Sequence, residues 1–167
     1  MSNKPSYIGL LNAIATGERG GHELFASWSA ATKDKKLKKT LDMVAIREME
    51  HSWAFEKRLC ELGFGVRDNA SPEAKKDLAK RVKLLGSKAS DAEKFAAFGI
   101  GKGKKKNKGK GKKKKGGAAA QTDGLLQVLA DPSIDPQTGA LLGRFICEER
   151  DTGRELQAAF RDLKRRS

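Results

Sequence analysis

The chain has 167 residues, a formal net charge of +14, and 38% hydrophobic and 6% aromatic residues. This length predicts one domain over residues 1–167 rather than two. The sequence has no apolar run of 18 residues and no signal-peptide pattern, so we expect a cytoplasmic protein with no membrane partner. Its two cysteines, Cys60 and Cys147, are far apart and are expected to be reduced, buried thiols.

The first predicted helix spans about residues 6–31, with Ser6 as its N-cap. Its inward face, read at steps of four and three, consists of Leu11, Ala15, Glu18, His22, Phe25 and Ser29. Glu18 is therefore a carboxylate within an apolar stripe. Three glycines lie beside it, at positions 17, 20 and 21, and they predict either a close helix approach or a local unwinding.

The second predicted helix spans residues 34–62, with Asp34 as its cap and Gly63 and Gly65 after its end. Its inward seam consists of Leu37, Leu41, Val44, Glu48, His51, Phe55, Arg58 or Leu59, and Leu62. Burying an unpaired charge costs several kcal/mol, about as much as a whole domain's stability. Glu48 and His51 therefore need a neutralising partner, and a metal ion would serve both.

Shorter helices are predicted in the middle of the chain. A helix over residues 71–86 is expected to bury Leu78, Val82 and Leu85, and an S-x-x-E capping box starts a brief turn at Ser90. Another short helix is expected over residues 122–130. The two tryptophans, Trp28 and Trp53, are expected to pack in the core.

Residues 99–121 form a Gly/Lys-rich, low-complexity loop that is predicted to be disordered. Its ten lysines lie between Lys102 and Lys115, and without them the net charge falls from +14 to +4. Three interpretations stay open: a solvated loop, a segment that binds nucleic acid or another polyanion non-specifically, and a localisation signal.

The last long helix is predicted over residues 136–164, and Asp135-Pro136 marks its start. It aligns with the second helix at an offset of 101 residues, which matches Glu48 with Glu149 and His51 with Thr152. This weak internal symmetry is typical of two halves of one bundle.

Three segments together suggest a family: ATGERGGHELF around Glu18, REMEH with Glu48 and His51, and CEERD with Glu148, Glu149 and Asp151. They resemble the ferritin-like, rubrerythrin-type di-iron bundles, in which two glutamates and two Glu-x-x-His motifs hold two metals. The resemblance implies an all-α, four-helix bundle with up-down packing. It also implies an iron-dependent oxidoreductase that handles peroxide or O₂, with an external electron donor because no CxxC pair is present.

The chain departs from this pattern where the second histidine would stand, since the candidates there are Asp151 and Thr152. The predicted metal ligands are Glu18, Glu48, His51, one of Glu148 and Glu149, and Asp151 as a substitute. Such oxygen and nitrogen donors suit iron, with manganese or zinc as alternatives, in one or two ions.

Two alternatives to this metal site stay open. In the first, Glu18, Glu48 and His51 form a structural polar cluster with arginines such as Arg19 and Arg47. In either case His22 is expected to support the ligands or to lie on the helix surface rather than to bind the metal. In the second, a non-catalytic bundle binds a polyanion or a protein partner through its lysine-rich loop. The sequence leaves the oligomeric state open, with a homodimer among the expected forms.

Overall fold

The computed structural model describes residues 5–101 and 125–166. This part of the chain contains α1 (Ile8–Ala31), α2 (Lys35–Glu61), α3 (Pro72–Leu85), α4 (Asp91–Ala97) and α5 (Pro136–Arg166), with a helical turn at 125–128. The all-α prediction is confirmed for these residues, and the four longer helices lie within two residues of their predicted bounds. The predicted loop 99–121 lies outside the described residues beyond Gly101, as do residues 122–124 of the short predicted helix.

Local chemistry explains where the helices begin and end. The carboxylate of Asp34 accepts hydrogen bonds from the backbone N–H groups of Lys36 and Leu37, which caps α2. At the other end of α2, Gly63 adopts a φ of +83°, and the next N–H donates back to the carbonyl of Leu59. The predicted capping box of Ser90 and Glu93 starts α4.

Contacts along the long helices fix their directions. His22 and Ser52 contact the backbone carbonyls of Ala45 and Ala15, so α1 and α2 are antiparallel. The side chains of Arg47 and Arg58 donate to Thr152 and Thr138, which makes α5 antiparallel to α2. On the far side of α1, Asn12 pairs with Arg67 and Ser27 donates to the carbonyl of Val82, so α3 runs parallel to α1.

These directions correct the predicted up-down order. The helices α3 and α5 run the same way, which an up-down order does not allow for consecutive long helices. Before the gap, the described part ends at Gly101, whose backbone lies against the ring of Phe160 near the C-terminal end of α5. The chain re-enters at Leu125, which packs in one apolar cluster with Leu142 and Tyr7 at the other end.

Two apolar clusters fill the interior and lie at opposite ends of the bundle. The lower cluster contains Tyr7, Ile8, Leu11, Ile14, Ala15, Phe55, Leu59, Leu125, Leu142, Phe145 and Ile146. The upper cluster contains Leu24, Phe25, Trp28, Leu37, Leu41, Val44, Ala45, Leu85, Phe95 and Leu156. The middle of α1, α2 and α5 lies between them, and the candidate site lies at this level.

An arginine network closes the lower end of the bundle. Arg58 is buried, and its guanidinium donates to Thr138, Asp135 and Gln137 of the α5 start and to Glu61. Charge-assisted hydrogen bonds of this kind are about twice as strong as neutral ones. They fix the C-terminal part of α2 against the start of α5.

Three burial predictions are wrong. Cys60 and Cys147 are exposed, because each lies on the outer face of its helix. Trp53 is 61% exposed, whereas Trp28 is fully buried as predicted. In α3 only Leu85 is buried, since this helix packs mainly against α1 and its Leu78 and Val82 are only partly covered.

None of the helices among residues 5–101 and 125–166 is both long enough and apolar enough to cross a membrane.

Candidate metal site

Three helices each bring ionisable side chains to the level between the two apolar clusters. Helix α1 contributes Glu18, α2 contributes Glu48 and His51, and α5 contributes Glu148 and Glu149. The helical period places each group on the inward face of its helix, as predicted. The antiparallel packing of α1 and α5 on α2 then brings their midpoints together.

The imidazole of His51 is the centre of this group and is 5% exposed. Its Nδ1 lies 3.2 Å from Oε2 of Glu18 and 3.8 Å from Oε1 of Glu149. Its Nε2 lies 2.7 Å from Oε2 of Glu148. The ring of Phe145 packs edge-on against the imidazole at 4.9 Å and covers it from the lower cluster.

Glu148 fixes which ring nitrogen is left for a ligand. Its Oε1 accepts a hydrogen bond from Nε of Arg144 at 2.9 Å, so the carboxylate is held in place one turn along α5. A carboxylate that accepts the N–H of one ring nitrogen orients the imidazole and makes the other nitrogen a better donor to a metal. His51 thus turns Nδ1 toward Glu18 and Glu149.

Glu149 provides an oxygen without a hydrogen-bond partner. Its Oε1 is buried and makes no hydrogen bond to any described group, although it faces Nδ1 of His51 at 3.8 Å. Leaving a buried carboxylate oxygen unpaired costs about 1–3 kcal/mol or more. One oxygen each from Glu18 and Glu149 and one nitrogen of His51 all lie within 4.8 Å of one another, close enough to share one ion.

Glu48 lies beside Glu18 and depends on a glycine for its position. A Cβ at Gly21 would stand 2.1 Å from Oε2 of Glu48, so only glycine leaves room for this carboxyl group. A Cβ at Gly20 would stand 3.3 Å from Cδ2 of Leu78 of α3, which is a tight contact. Of the two predicted alternatives, the close approach is observed at Gly20 and Gly21 but not at Gly17, and α1 continues through all three without unwinding.

Burial and crowding shift the pKa values of the carboxyl groups in the site. Burial, together with the charges of Glu18 and Glu149, raises the pKa of Glu48 to about 10. Burial and the charge of Glu18 raise the pKa of Glu149 to about 7. For Glu148 burial acts upward, but its hydrogen bonds to His51 and Arg144 lower the pKa overall.

His51 is shifted toward its charged form. Burial lowers the pKa of His51, but the hydrogen bonds to Glu18 and Glu148 outweigh this effect and raise the pKa above its ordinary value. Protons on His51 and Glu48 thus compensate the crowded carboxylates. A cation at Nδ1 of His51 would take over that role and displace a proton.

The structure does not bring Asp151 into this group. Asp151 pairs with Arg154 at 2.9 Å and with Arg47 at 3.3 Å on the outer side of α5. Arg47 also donates to Oγ1 of Thr152 at 2.8 Å and to the backbone carbonyl of Glu148 at 3.2 Å. Its positive charge acts to lower the pKa values of Glu48 and Glu149, although burial raises both overall, so Arg47 lies near enough to act on the site.

Other candidates fall outside the group or have partners elsewhere. His22 contacts the carbonyl of Ala45 through Nδ1 at 2.8 Å, as a helix-contact residue rather than a ligand. Arg19 pairs with Glu56 at 2.8 Å and is not part of the predicted polar cluster, whereas the charge of Arg47 acts on Glu48 and Glu149 as that alternative requires.

Three residues that shape the site were missed as parts of it. Phe145 packs against His51, a contact that the sequence analysis did not predict. Arg144 precedes Glu148 by four residues, a spacing that typically pairs opposite charges on a helix. Gly21 was recognised as part of a close approach, but its partner Glu48 was not.

No protein-family model, curated protein or solved structure matches this chain.

Proposed function

We propose that this chain binds one divalent metal ion, iron in the first place, through Glu18, His51 and Glu149. The observation that carries the proposal is the buried Nδ1 of His51, which faces two carboxylates from two other helices. One of those carboxylates has a buried oxygen without a hydrogen-bond partner. A shared cation would offset all of these groups at once.

The donor set favours a hard or borderline ion. Two carboxylate oxygens and one imidazole nitrogen suit Fe²⁺, Mn²⁺ or Zn²⁺ and do not suit ions that prefer thiolate. A carboxylate-rich set with the histidine of a Glu-x-x-His motif is also what holds iron in the ferritin-like di-iron bundles. Iron is therefore the first candidate, with manganese and zinc as alternatives.

The surroundings favour one ion rather than two. The position on α5 that corresponds to His51 is Thr152, whose hydroxyl accepts from the guanidinium of Arg47. Arg47 thus supplies a fixed positive charge beside Glu48 and Glu149. A second divalent ion there would meet this charge and would lack a second imidazole.

The proposal includes a ferritin-like arrangement of the helices. The antiparallel pair of α1 and α2, with α5 antiparallel to α2, supports it. The positions of the two described ends support it as well, because Gly101 lies at the upper end of the bundle and Leu125 at the lower end, and ferritin-like bundles contain one long crossover. The helices α3 and α4 carry no carboxylate into the group described above.

We further propose that the loaded site carries out oxidoreductase chemistry on peroxide or O₂. Bound iron would supply open coordination positions and a redox couple. Within the chain, Glu148 holds the imidazole in orientation, Phe145 excludes water from one side, and Glu48 holds a proton beside Glu18. Electrons would come from an external donor, because Cys60 and Cys147 lie far apart in the sequence and are both exposed.

Metal analysis of wild type and matched histidine variants tests the first step. Protein produced in iron-rich medium should contain about one iron per chain. His51→Ala should contain none, whereas His22→Ala should load like wild type because His22 contacts only the helix backbone. A wild-type protein that takes up no iron, manganese, zinc or cobalt from a titration would refute the proposal, as would equal loading of the two variants.

Peroxide consumption tests the second step separately. Iron-loaded wild type should remove hydrogen peroxide faster than an equal amount of iron with the His51→Ala variant. Metal binding without any such difference would support a binding site and reject the oxidoreductase.

A second candidate function is binding of a polyanion at the upper end of the bundle. The lysine-rich stretch begins directly after Gly101, which packs on Phe160. Exposed cations of α5 lie within two turns of this point: Arg161, Lys164, Arg165 and Arg166. Exchange of the ten lysines for serine should abolish retention on heparin or on DNA at low salt, with a steep salt dependence in wild type. Retention of the serine variant would refute this candidate.

A further inference from the structure

The outer face of α2 carries a row of apolar side chains that pack on no other described helix. Ile46 and Trp53 are 59% and 61% exposed, and Met49 lies between them, partly buried. Steps of three and four place the three side chains in one line along the helix. Contiguous apolar surface of this kind marks an interaction site, and tryptophan is enriched at the centres of interfaces.

Charged residues frame this row at both ends. Asp42 lies one turn before Ile46, and Lys57 lies one turn after Trp53. The row of Asp42, Ile46, Met49, Trp53 and Lys57 is called the α2 stripe below. We propose that the α2 stripe binds the α2 stripe of a second copy of this chain, in antiparallel orientation.

The charges select this orientation and this register. With a two-fold axis between residues 49 and 50, Asp42 of one copy meets Lys57 of the other, and Ile46 meets Trp53. A parallel pair would place Asp42 against Asp42 and Lys57 against Lys57. A shift of one helix along the other by one turn would also bring like charges together. Asp42 would meet Glu61 of the second copy in one direction, and Lys57 would meet Lys38 in the other.

The present partners of these charges do not compete strongly. Lys57 reaches Glu61 at 3.7 Å and Lys38 reaches Asp42 at 3.5 Å, and the lysine side chains are 78% and 49% exposed. Exposed pairs of this kind within one helix contribute little to stability. Asp42 also accepts a hydrogen bond from the hydroxyl of the buried Ser29. The Asp42 side chain is nevertheless 50% exposed, so the ammonium group of Lys57 of the second copy can approach it while this hydrogen bond is kept.

The two-fold symmetry makes every contact occur twice, which sharpens the test. In sedimentation equilibrium the full chain should form a dimer. Trp53→Glu should raise the dissociation constant by about 100-fold or more, since two central tryptophans are lost. Leu84→Glu, an exposed apolar residue on α3, is the control and should leave the dimer unchanged.

Charge exchange tests the register and does not depend on any loss of packing. Asp42→Lys and Lys57→Glu should each weaken the dimer by about tenfold, because each turns two attractions into two repulsions. The double variant Asp42→Lys/Lys57→Glu restores both attractions and should dimerise like wild type. Circular dichroism checks that each variant is folded.

A wild-type chain that stays monomeric up to its solubility limit overturns the proposal. So does a dimer that Trp53→Glu leaves intact, or a double variant that is no tighter than the single ones. Metal content plays no part in these readouts, so they are independent of the proposed metal site.

Discussion

The exchange of Gly21 for alanine tests the site without removing any ionisable group. The added Cβ would stand 2.1 Å from Oε2 and 3.0 Å from Cδ of Glu48, whereas ordinary contacts begin at 3.4 Å. Glu48 is only 6% exposed, so its carboxyl group has no open path into water. It must rotate away from α1 and give up its hydrogen bond to Glu18.

The expected change in stability follows from three contributions. Alanine favours a helix over glycine by about 1 kcal/mol. Loss of a buried hydrogen bond costs about 1–3 kcal/mol, and a strained side-chain rotamer costs about 0.5–1.5 kcal/mol. Gly21→Ala should therefore lower the free energy of unfolding by about 0.5–3.5 kcal/mol.

Gly17→Ala is the matched control, because a Cβ at Gly17 meets no atom within 4 Å. This variant should be more stable than wild type by up to about 1 kcal/mol. Urea unfolding with a chelator present measures both effects. Cobalt titration should then show weaker binding by about tenfold or more for Gly21→Ala and unchanged binding for Gly17→Ala, since about 1.4 kcal/mol is a factor of ten. Equal stability and equal cobalt affinity of the two variants would refute the role given to Glu48.

Two further predictions concern protons and the arginine network. In the metal-free protein, the raised pKa values of Glu149 and Glu48 mean that the folded state binds these two protons more tightly than the unfolded state. The stability that this provides is complete below about pH 4.5. That stability is lost as the pH rises through about 7 for Glu149 and about 10 for Glu48. Urea unfolding from pH 5 to 8 should show the decline, with up to about 3 kcal/mol from Glu149. Glu149→Gln should make the decline shallower without abolishing it, because the raised pKa of Glu48 contributes over the same range; an equally steep decline in that variant would contradict the assignment. Arg58→Met should cost about 3 kcal/mol, because it leaves Asp135 without its charged partner, while the exposed control Lys80→Met should change stability by less than about 0.5 kcal/mol; similar unfolding midpoints for both variants would count against the network.

Periodicity alone predicted the inward position of the groups that form the site. Glu18, Glu48 and His51 were each recognisable as polar members of an apolar stripe. The antiparallel packing of the helices then brings these stripes together at mid-length. The choice between Glu148 and Glu149 was beyond the sequence. Adjacent residues differ by 100° around a helix, and here their long side chains reach the two ring nitrogens of His51 from different sides.

The failures of sequence reasoning also have physical causes. Asp151 has the spacing of a ligand, but two arginines pair with it, and an arginine in sequence does not reveal its partner. Trp53 was expected in the core because tryptophan is usually covered; its helix has one inward face, and that face was already occupied by His51 and Phe55. The direction of α5 depended on where the chain re-enters the bundle, which no local pattern encodes.

The contact of Gly101 with Phe160, at one end of the bundle, sets a minimum length for the chain that follows. Leu125 belongs to the cluster of Leu142, and the 18 residues of α5 between positions 142 and 160 rise about 27 Å. If Lys102–Lys115 were deleted, only residues 116–124 would bridge this gap, and they reach about 30–36 Å when drawn nearly straight. Deletion of this stretch should therefore strain the fold, whereas exchange of its lysines for serine should not. The two described ends therefore set a requirement on the length of this stretch and none on its charge.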